Sequence, residues 1–235
     1  ANCTANASHS RVNHLSATTM TRLSPAMLKH LPLSVRRFDS DRATLRPRIV
    51  HLGLGAFFRA HGALFTEDCA TAGGDWGIVG ASLQRPDQRD RLQPQDFLYT
   101  ATEVSAAGRS TRVVGCLLDV LVAPENPLAL VAHLADPATD IVTLTVTEKG
   151  YCHDPATGRL KLEHPDIAAA LAPPQSPRSA VGYLVAALER RRAAKQRPFT
   201  VATCDNLQNN GPLLAGLVRE FAATRSAGAG VYSLY

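Results

Sequence analysis

Arg48-Ile49-Val50-His51-Leu52-Gly53-Leu54-Gly55-Ala56-Phe57-Phe58-Arg59-Ala60-His61 is the stretch that decides the fold. It opens as a short apolar run rich in β-branched residues, which predicts a buried strand. Two glycines one residue apart follow, and then a segment that can begin a helix. A strand, a tight glycine turn and a helix N-terminus form a ready site for a pyrophosphate. The first glycine turns the chain, the second lets the backbone approach the phosphates, and the helix N–H groups face the negative charge. The usual fingerprint has a third glycine where Phe58 stands, so an ordinary strand-to-helix turn that needs glycine for its φ angles is the competing reading.

Working outward, strand-like and helix-like segments alternate. Helical patterns cover Leu23 to His30, Ala60 to Ala72, Asp87 to Leu92, Asn126 to Leu134, Arg178 to Lys195 and Pro212 to about Arg225. Buried strands are predicted at Trp76 to Leu83, Ile141 to Val146 and Phe199 to Cys204. Phe97 to Val104 and Thr111 to Val122 flank Ala106-Ala107-Gly108 and read as a hairpin. This order predicts an α/β fold, a doubly wound and mainly parallel sheet with helices on both faces and an extra β-hairpin. Ala1 to Thr19 has no acidic residue and reads as an upstream extension without fixed structure, and Pro173-Pro174 should break the chain.

Composition narrows the function. The chain has 235 residues, 45% of them apolar, enough for one large domain or one domain and part of a second, and too apolar for global disorder. No apolar run is long enough to be a transmembrane helix, so no membrane partner is expected. The net charge is +5, but the basic residues are scattered apart from Arg190-Arg191-Arg192, which reads as a solvated helix end. No basic stripe interleaved with aromatics appears, which argues against nucleic acid. Five widely spaced cysteines without a C-x-x-C pair argue against a zinc site or a disulfide framework and suit a reducing, cytoplasmic compartment. His153 and His164 are too isolated to argue a metal pair and read as surface residues.

Polar residues at strand ends are the site candidates, because ligands of open α/β sheets bind outside the carboxyl ends of the strands. The second strand ends in Gln84-Arg85-Pro86, without the carboxylate that would hold a ribose 2′-OH. Arg85 can meet a 2′-phosphate instead, which leaves NAD and NADP both open. The Ile141 strand leads into Thr147-Glu148-Lys149-Gly150-Tyr151. The Phe199 strand leads into Asp205-Asn206-Leu207-Gln208-Asn209-Asn210-Gly211, whose amides can donate to an oxyanion or accept from ribose hydroxyls. Both segments also have bland readings, a solvated loop and a turn rich in turn-formers.

Together, Gly53-Leu54-Gly55-Ala56-Phe57-Phe58-Arg59-Ala60-His61, Thr145-Val146-Thr147-Glu148-Lys149-Gly150-Tyr151 and Thr203-Cys204-Asp205-Asn206 through Gly211 resemble the long-chain mannitol dehydrogenase family, from about Arg48 to about Thr224. The resemblance implies a Rossmann domain and a zinc-independent, NAD-linked oxidoreductase, with NADP also possible. Such enzymes interconvert a polyol or aldonate (mannitol, mannonate) with the corresponding ketose or keto-acid (fructose, fructuronate). It implies that Gly53, Gly55, Ala56 and Phe57 cradle the cofactor, with Arg85, Thr147 and Lys149 as further contacts and Asp205 as a cofactor or structural contact. It also implies Asn206 in the oxyanion hole and Glu148 near the proton path. Many members carry His where Phe58 stands and Gln where Gly62 stands. The family's general base is a Lys in a helical second domain, in a Lys-x4-Asn-x2-His pattern that these 235 residues do not contain. The expected organisation is therefore an extension and N-terminal helix over 1–47, a dinucleotide-binding domain over 48–225 and an irregular tail over 226–235, with the helical domain absent. The bland counterpart is a non-catalytic nucleotide-binding fragment.

Overall fold

A computed structural model describes residues 22–172 and 176–229. The segments Ala1 to Thr19 and Pro173-Pro174 lie outside the described residues. Leu23 to His30 forms a 3-10 turn, Pro25–His30, rather than an α-helix. A two-residue strand β1 (Val35–Arg36) follows within the stretch expected to hold only an extension and an N-terminal helix. The apolar run becomes β2 (Arg46–Leu52). Helix α1 (Ala56–Ala60) begins at Gly55 and breaks at His61, where φ is −133° and ψ is −74°, before α2 (Gly62–Thr71). Next come β3 (Trp76–Ser82), α3 (Asp87–Leu92), β4 (Tyr99–Ser105), β5 (Gly108–Val114) and β6 (Leu117–Val122). The chain continues through α4 (Pro127–Ala135), β7 (Ile141–Leu144), α5 (Pro165–Leu171), α6 (Ala180–Ala193), β8 (Thr200–Thr203) and α7 (Asn210–Ala229). The tail expected to be irregular from 226 is helical as far as Ala229, and its remainder lies outside the described residues.

Five strands form one parallel sheet in the order β6-β3-β2-β7-β8. The chain steps outward from β2 in one direction, then returns and steps outward in the other. That is Rossmann order, and its switch point lies between β2 and β7, where ligands enter such folds. Alternation along β2 divides the core. Val50 and Leu52 face α4, α6 and α7, together with Val142, Leu144, Leu130, Leu184 and Leu217. Ile49 faces α1, α2 and α3, together with Ile78, Val120, Phe58 and Ala63.

The expected strand from Thr111 to Val122 is two strands in two sheets. β5 pairs antiparallel with β4 and parallel with β1, while β6 joins the large sheet. The break falls at Gly115, where a Cβ would come within 2.6 Å of the Phe38 ring. The Arg triplet is not a uniformly solvated helix end either. Arg191 is fully buried and donates to the carbonyls of Leu134 (3.2 Å), Arg197 (2.8 Å), Thr139 (2.6 Å) and Asp136, with its guanidinium 5.1 Å from the Phe199 ring centre. One cation thus satisfies the orphan carbonyls at the end of α4 and ties that end to the entry of β8.

The break at Gly115 is held by a buried acid. Glu67 of α2 accepts the Gly115 N–H at 2.6 Å. Burial lifts its carboxyl from the usual carboxylate range to about 7, against the opposing pull of the Gly115 and Cys116 N–H groups, Arg112 and Arg36. A folded pKa above the unfolded one adds stability at low pH that is lost as pH rises through the folded value. The Glu67 contribution therefore fades between about 4.5 and about 7. Thermal melts across pH 5 to 7.5 should show Glu67→Gln gaining on the parent protein as pH rises. A constant difference in Tm would show that the carboxyl does not titrate there.

Candidate active site at the carboxyl edge of the sheet

At the end of β2 the backbone turns through Gly53, whose φ is +94°. A Cβ there would lie 2.4 Å from the Thr145 carbonyl oxygen at the end of β7, an approach that only glycine permits. The Gly53 N–H donates to Ala81 of β3 at 2.9 Å. Its carbonyl accepts from the Thr145 hydroxyl at 2.8 Å and from the Gly55 N–H at 2.6 Å. Gly55 is different. Its φ is an ordinary −88°, and an added Cβ would meet only the Gly53 oxygen, at 3.7 Å. Its outer side faces open space. Ala56 and Phe57 follow as the first residues of α1, where N–H groups have no acceptor within the helix. Phe57 lies exposed, stacked on His61, while Phe58 is buried where the fingerprint has its third glycine. The Phe58 ring occupies the space where a Gly62 side chain would go, 2.4 Å from an added Cβ.

The next strand ends extend this edge. After β7, Thr147, Glu148 and Lys149 are exposed on a 3-10 turn, Glu148–Tyr151. After β8, Asn206 is exposed beside a half-buried Asp205. The two turns are locked together: the buried Tyr151 hydroxyl donates to the Asp205 carboxylate. Burial raises the Asp205 pKa, while the bond from Tyr151 and the Val146 N–H pull it down. The Asp205 carbonyl accepts from the Asn210 side chain and the Leu207 N–H, both at 2.9 Å. Asp205 therefore braces the loops that present Glu148 and Asn206. The Gly turn, residues 147–149 and residues 205–206 sit on three neighbouring strand ends, β2, β7 and β8. Arg85 is exposed past the end of β3, on the other side of β2. There a cleft of about 320 Å³ is lined by Leu83, Pro124, Pro127, Pro177, Arg178 and Tyr183. A larger cavity of about 900 Å³ lies elsewhere, between α1–α2 and the β4–β5 hairpin, with Arg36, Arg59, Tyr99 and Arg112 in its walls. The switch point carries the functional argument, because ligands of such folds enter there and the Gly turn, Glu148, Lys149 and Asn206 lie on neighbouring strand ends.

Sequence reading missed two features. His51 is fully buried under the Gly turn. His164, expected on the surface, is half-buried and caps α5 by accepting the Asp166 N–H at Nδ1, 3.2 Å away. With Cys152 and Asp166 it forms a group whose ligand atoms lie within 4.8 Å of one another. Burial pushes the Cys152 thiol up to about 11, and the cap occupies His164 Nδ1. A cation there would have to displace both the thiol proton and the cap.

The family model for the mannitol dehydrogenase Rossmann domain matches residues 47–230. A polyol:NADP oxidoreductase of Gluconobacter oxydans is 44% identical over 189 residues, 78% of this chain and 39% of the relative. A mannitol 2-dehydrogenase of Phaeosphaeria nodorum is 42% identical over 211 residues, 86% of this chain and 37% of the relative. Among solved structures, the Pseudomonas fluorescens mannitol 2-dehydrogenase ternary complex with NAD and D-mannitol superposes with a TM-score of 0.84 at 38% identity, covering 88% of this chain and 43% of that one. A D-sorbitol dehydrogenase in substrate-free form gives 0.83 at 37% identity, covering 88% of this chain and 44% of that one. The chain spans less than half the length of these relatives.

The turn makes a prediction about stability alone. Gly53→Ala should destabilise the protein by on the order of 2–4 kcal/mol, since both φ and the Thr145 carbonyl oppose a side chain. Gly55→Ala should change stability by less than about 1 kcal/mol. Denaturant melts of the two variants check this, and equal losses would contradict the packing described.

Proposed function

The chain belongs to the mannitol dehydrogenase family, whose Rossmann domain spans most of it, and on that premise we propose that it binds a nicotinamide dinucleotide in an oxidoreductase of polyols or sugar acids. The reaction interconverts a polyol or aldonate, such as mannitol or mannonate, with the ketose or keto-acid, fructose or fructuronate. The observation that carries the proposal is the turn at the switch point. Gly53 is packed against Thr145, while the neighbouring Gly55 leaves its side-chain space open beside the free end of α1. A diphosphate fits that opening, because main-chain N–H groups and the helix end both favour an anion there.

A bound nicotinamide would supply the hydride donor or acceptor. Ala56 and Phe57 would hold the diphosphate through backbone N–H groups, and Gly55, whose own N–H is bonded to the Gly53 carbonyl, would admit it by leaving its side-chain space open. Leu83, Pro124, Pro127, Pro177 and Tyr183 offer apolar walls suited to an adenine ring, and Arg85 would settle whether a 2′-phosphate is welcomed. NAD is the proposed cofactor, with NADP admitted by the lack of a carboxylate at Gln84 and Arg85. Thr147 and Lys149 would border the nicotinamide end. Asn206 would donate to the substrate oxygen as charge develops on it, and Glu148 would serve the proton path. Asp205 contributes through its bond from Tyr151, which holds the two loops in register. The polyol or sugar acid and the dinucleotide are the proposed partners, and a cytoplasmic location is proposed with them. No helix among the described residues is long and apolar enough to cross a membrane.

By the family resemblance the proton goes to a lysine in a Lys-x4-Asn-x2-His pattern, which these 235 residues lack. Loss of general-base help costs roughly 10²–10⁴-fold in rate. Fluorescence titration should therefore show saturable NADH or NADPH binding to this chain, while a panel of polyols and keto-acids turns over slowly by that margin. Gly55→Ala should weaken binding about tenfold or more while leaving the melting temperature in place. Binding without any turnover would favour the reading as a nucleotide-binding fragment. No binding of either nucleotide would refute both readings.

A further inference from the structure

His51 belongs to none of the roles above, although it is the only histidine among the described residues with no exposed surface. It lies on the β2 face that meets α1. Each edge of its ring has a partner. Nδ1 lies 2.8 Å from the Thr143 hydroxyl, and Nε2 lies 3.2 Å from the Gly53 carbonyl and 2.9 Å from the Thr145 hydroxyl. The flat of the ring stacks on Phe58, with centroids 3.4 Å apart and planes within 6°.

These contacts assign the proton. The Gly53 carbonyl can only accept, so Nε2 carries the hydrogen and Nδ1 accepts from Thr143. Burial supports a neutral ring, holding the pKa down at about 3 against the Gly53 carbonyl, which favours protonation. The single Nε2–H tautomer is thus the form that satisfies the pocket.

The two ends of this contact set bracket the proposed diphosphate site. At one end is the Gly53 carbonyl. A glycine with positive φ can reorient its peptide plane at little steric cost, which would swing the following N–H groups. Here His51 Nε2, the Thr145 hydroxyl and the Gly55 N–H all converge on that oxygen and hold it inward. At the other end is Phe58, the third residue of α1. Residues 54–57 lie between the two anchors. Leu54 is itself pressed onto Gly80, where an added Cβ would sit 2.8 Å from its Cδ2.

We propose that His51 is a positioning residue for the dinucleotide: its neutral ring clamps the Gly53 carbonyl and Phe58 so that the N–H groups of Ala56 and Phe57 are already aimed at the diphosphate before it arrives. The proposal rests on the reading of this crevice as a nicotinamide dinucleotide site. It adds that affinity depends on a side chain that never touches the ligand, because a turn ordered in advance has less freedom to lose on binding.

Substitutions separate the donor from the packing. In His51→Gln the amide nitrogen falls near the place of Nε2 and can still donate to Gly53. In His51→Asn it falls near Nδ1 and cannot. Titrating NADH and NADPH fluorescence into the 235-residue chain should give near-parental affinity for His51→Gln and about tenfold weaker affinity for His51→Asn, with the two variants equal in Tm. Affinity that follows Tm in both variants would make His51 a packing residue and overturn the proposal. The parental protein gives an independent reading if either variant fails to fold. Nitrogen-15 imidazole NMR should show the neutral Nε2–H tautomer, and its resonances should shift on adding NADH with the same Kd as the fluorescence. The other tautomer, or a ring indifferent to NADH, would also overturn it. A parental protein that binds neither nucleotide would instead sink the dinucleotide reading beneath it.

Discussion

The approach of β2 to β7 at their carboxyl ends is the constraint from which the rest of the molecule follows. The strands run parallel from Ile49 opposite Ile141 to Leu52 opposite Leu144, and then the chains part. At the parting point Gly53 comes so near the Thr145 carbonyl that no side chain fits between them. The same contact turns the backbone into α1 and leaves the crevice that the switch in strand order creates. It also sets the next loop in place, since residues 147–149 begin two positions after Thr145. Cys204 donates to Leu144 at 2.8 Å, which carries the registration on to β8 and to Asn206.

Rigidity is concentrated beneath this edge and polarity above it. His51, Thr143, Thr145 and Phe58 form a closed set under the turn, in which each polar ring atom has a partner. Tyr151 and Asp205 do the corresponding work between the two neighbouring loops. Glu148, Lys149 and Asn206 are left exposed on supports that are themselves buried or half-buried. The proposed reaction, which needs a substrate oxygen and a cofactor carbon held in a fixed relation, would be served by such an arrangement, because preorganised groups need not be reordered during the step.

Much of this was legible in the residues. Runs such as Trp76 to Ser82 and Ile141 to Leu144 are apolar because both faces of a parallel strand are covered, and that signal survives without any knowledge of neighbours. The glycine turn was legible for the same local reason. What was not legible depends on contacts distant in sequence. Nothing within Thr111 to Val122 announces that Phe38, more than seventy residues earlier, occupies the space over Gly115 and splits the strand. Arg191 reads like its neighbours until the carbonyls of Leu134, Asp136 and Thr139 are placed around it. Helix α5 was missed although His164-Pro165-Asp166 carries a start signal, a Pro at the first turn followed by an acid. Asp205 was expected to touch cofactor or to hold structure, and its bond from Tyr151, 54 residues away, supplies a structural role that spacing could not reveal.

Two places compete for the role of ligand site, the strand ends around Gly53–Phe57 and the larger cavity beside the β4–β5 hairpin. Backbone amide NMR of the uniformly nitrogen-15-labelled chain, recorded as NADH is added, discriminates between them directly. The account predicts that the shifted amides centre on residues 53–57, with further changes near 83–85, 145–149 and 205–206. Shifts confined to the neighbourhood of Arg36, Tyr99 and Arg112, or no shifts at all, would contradict it.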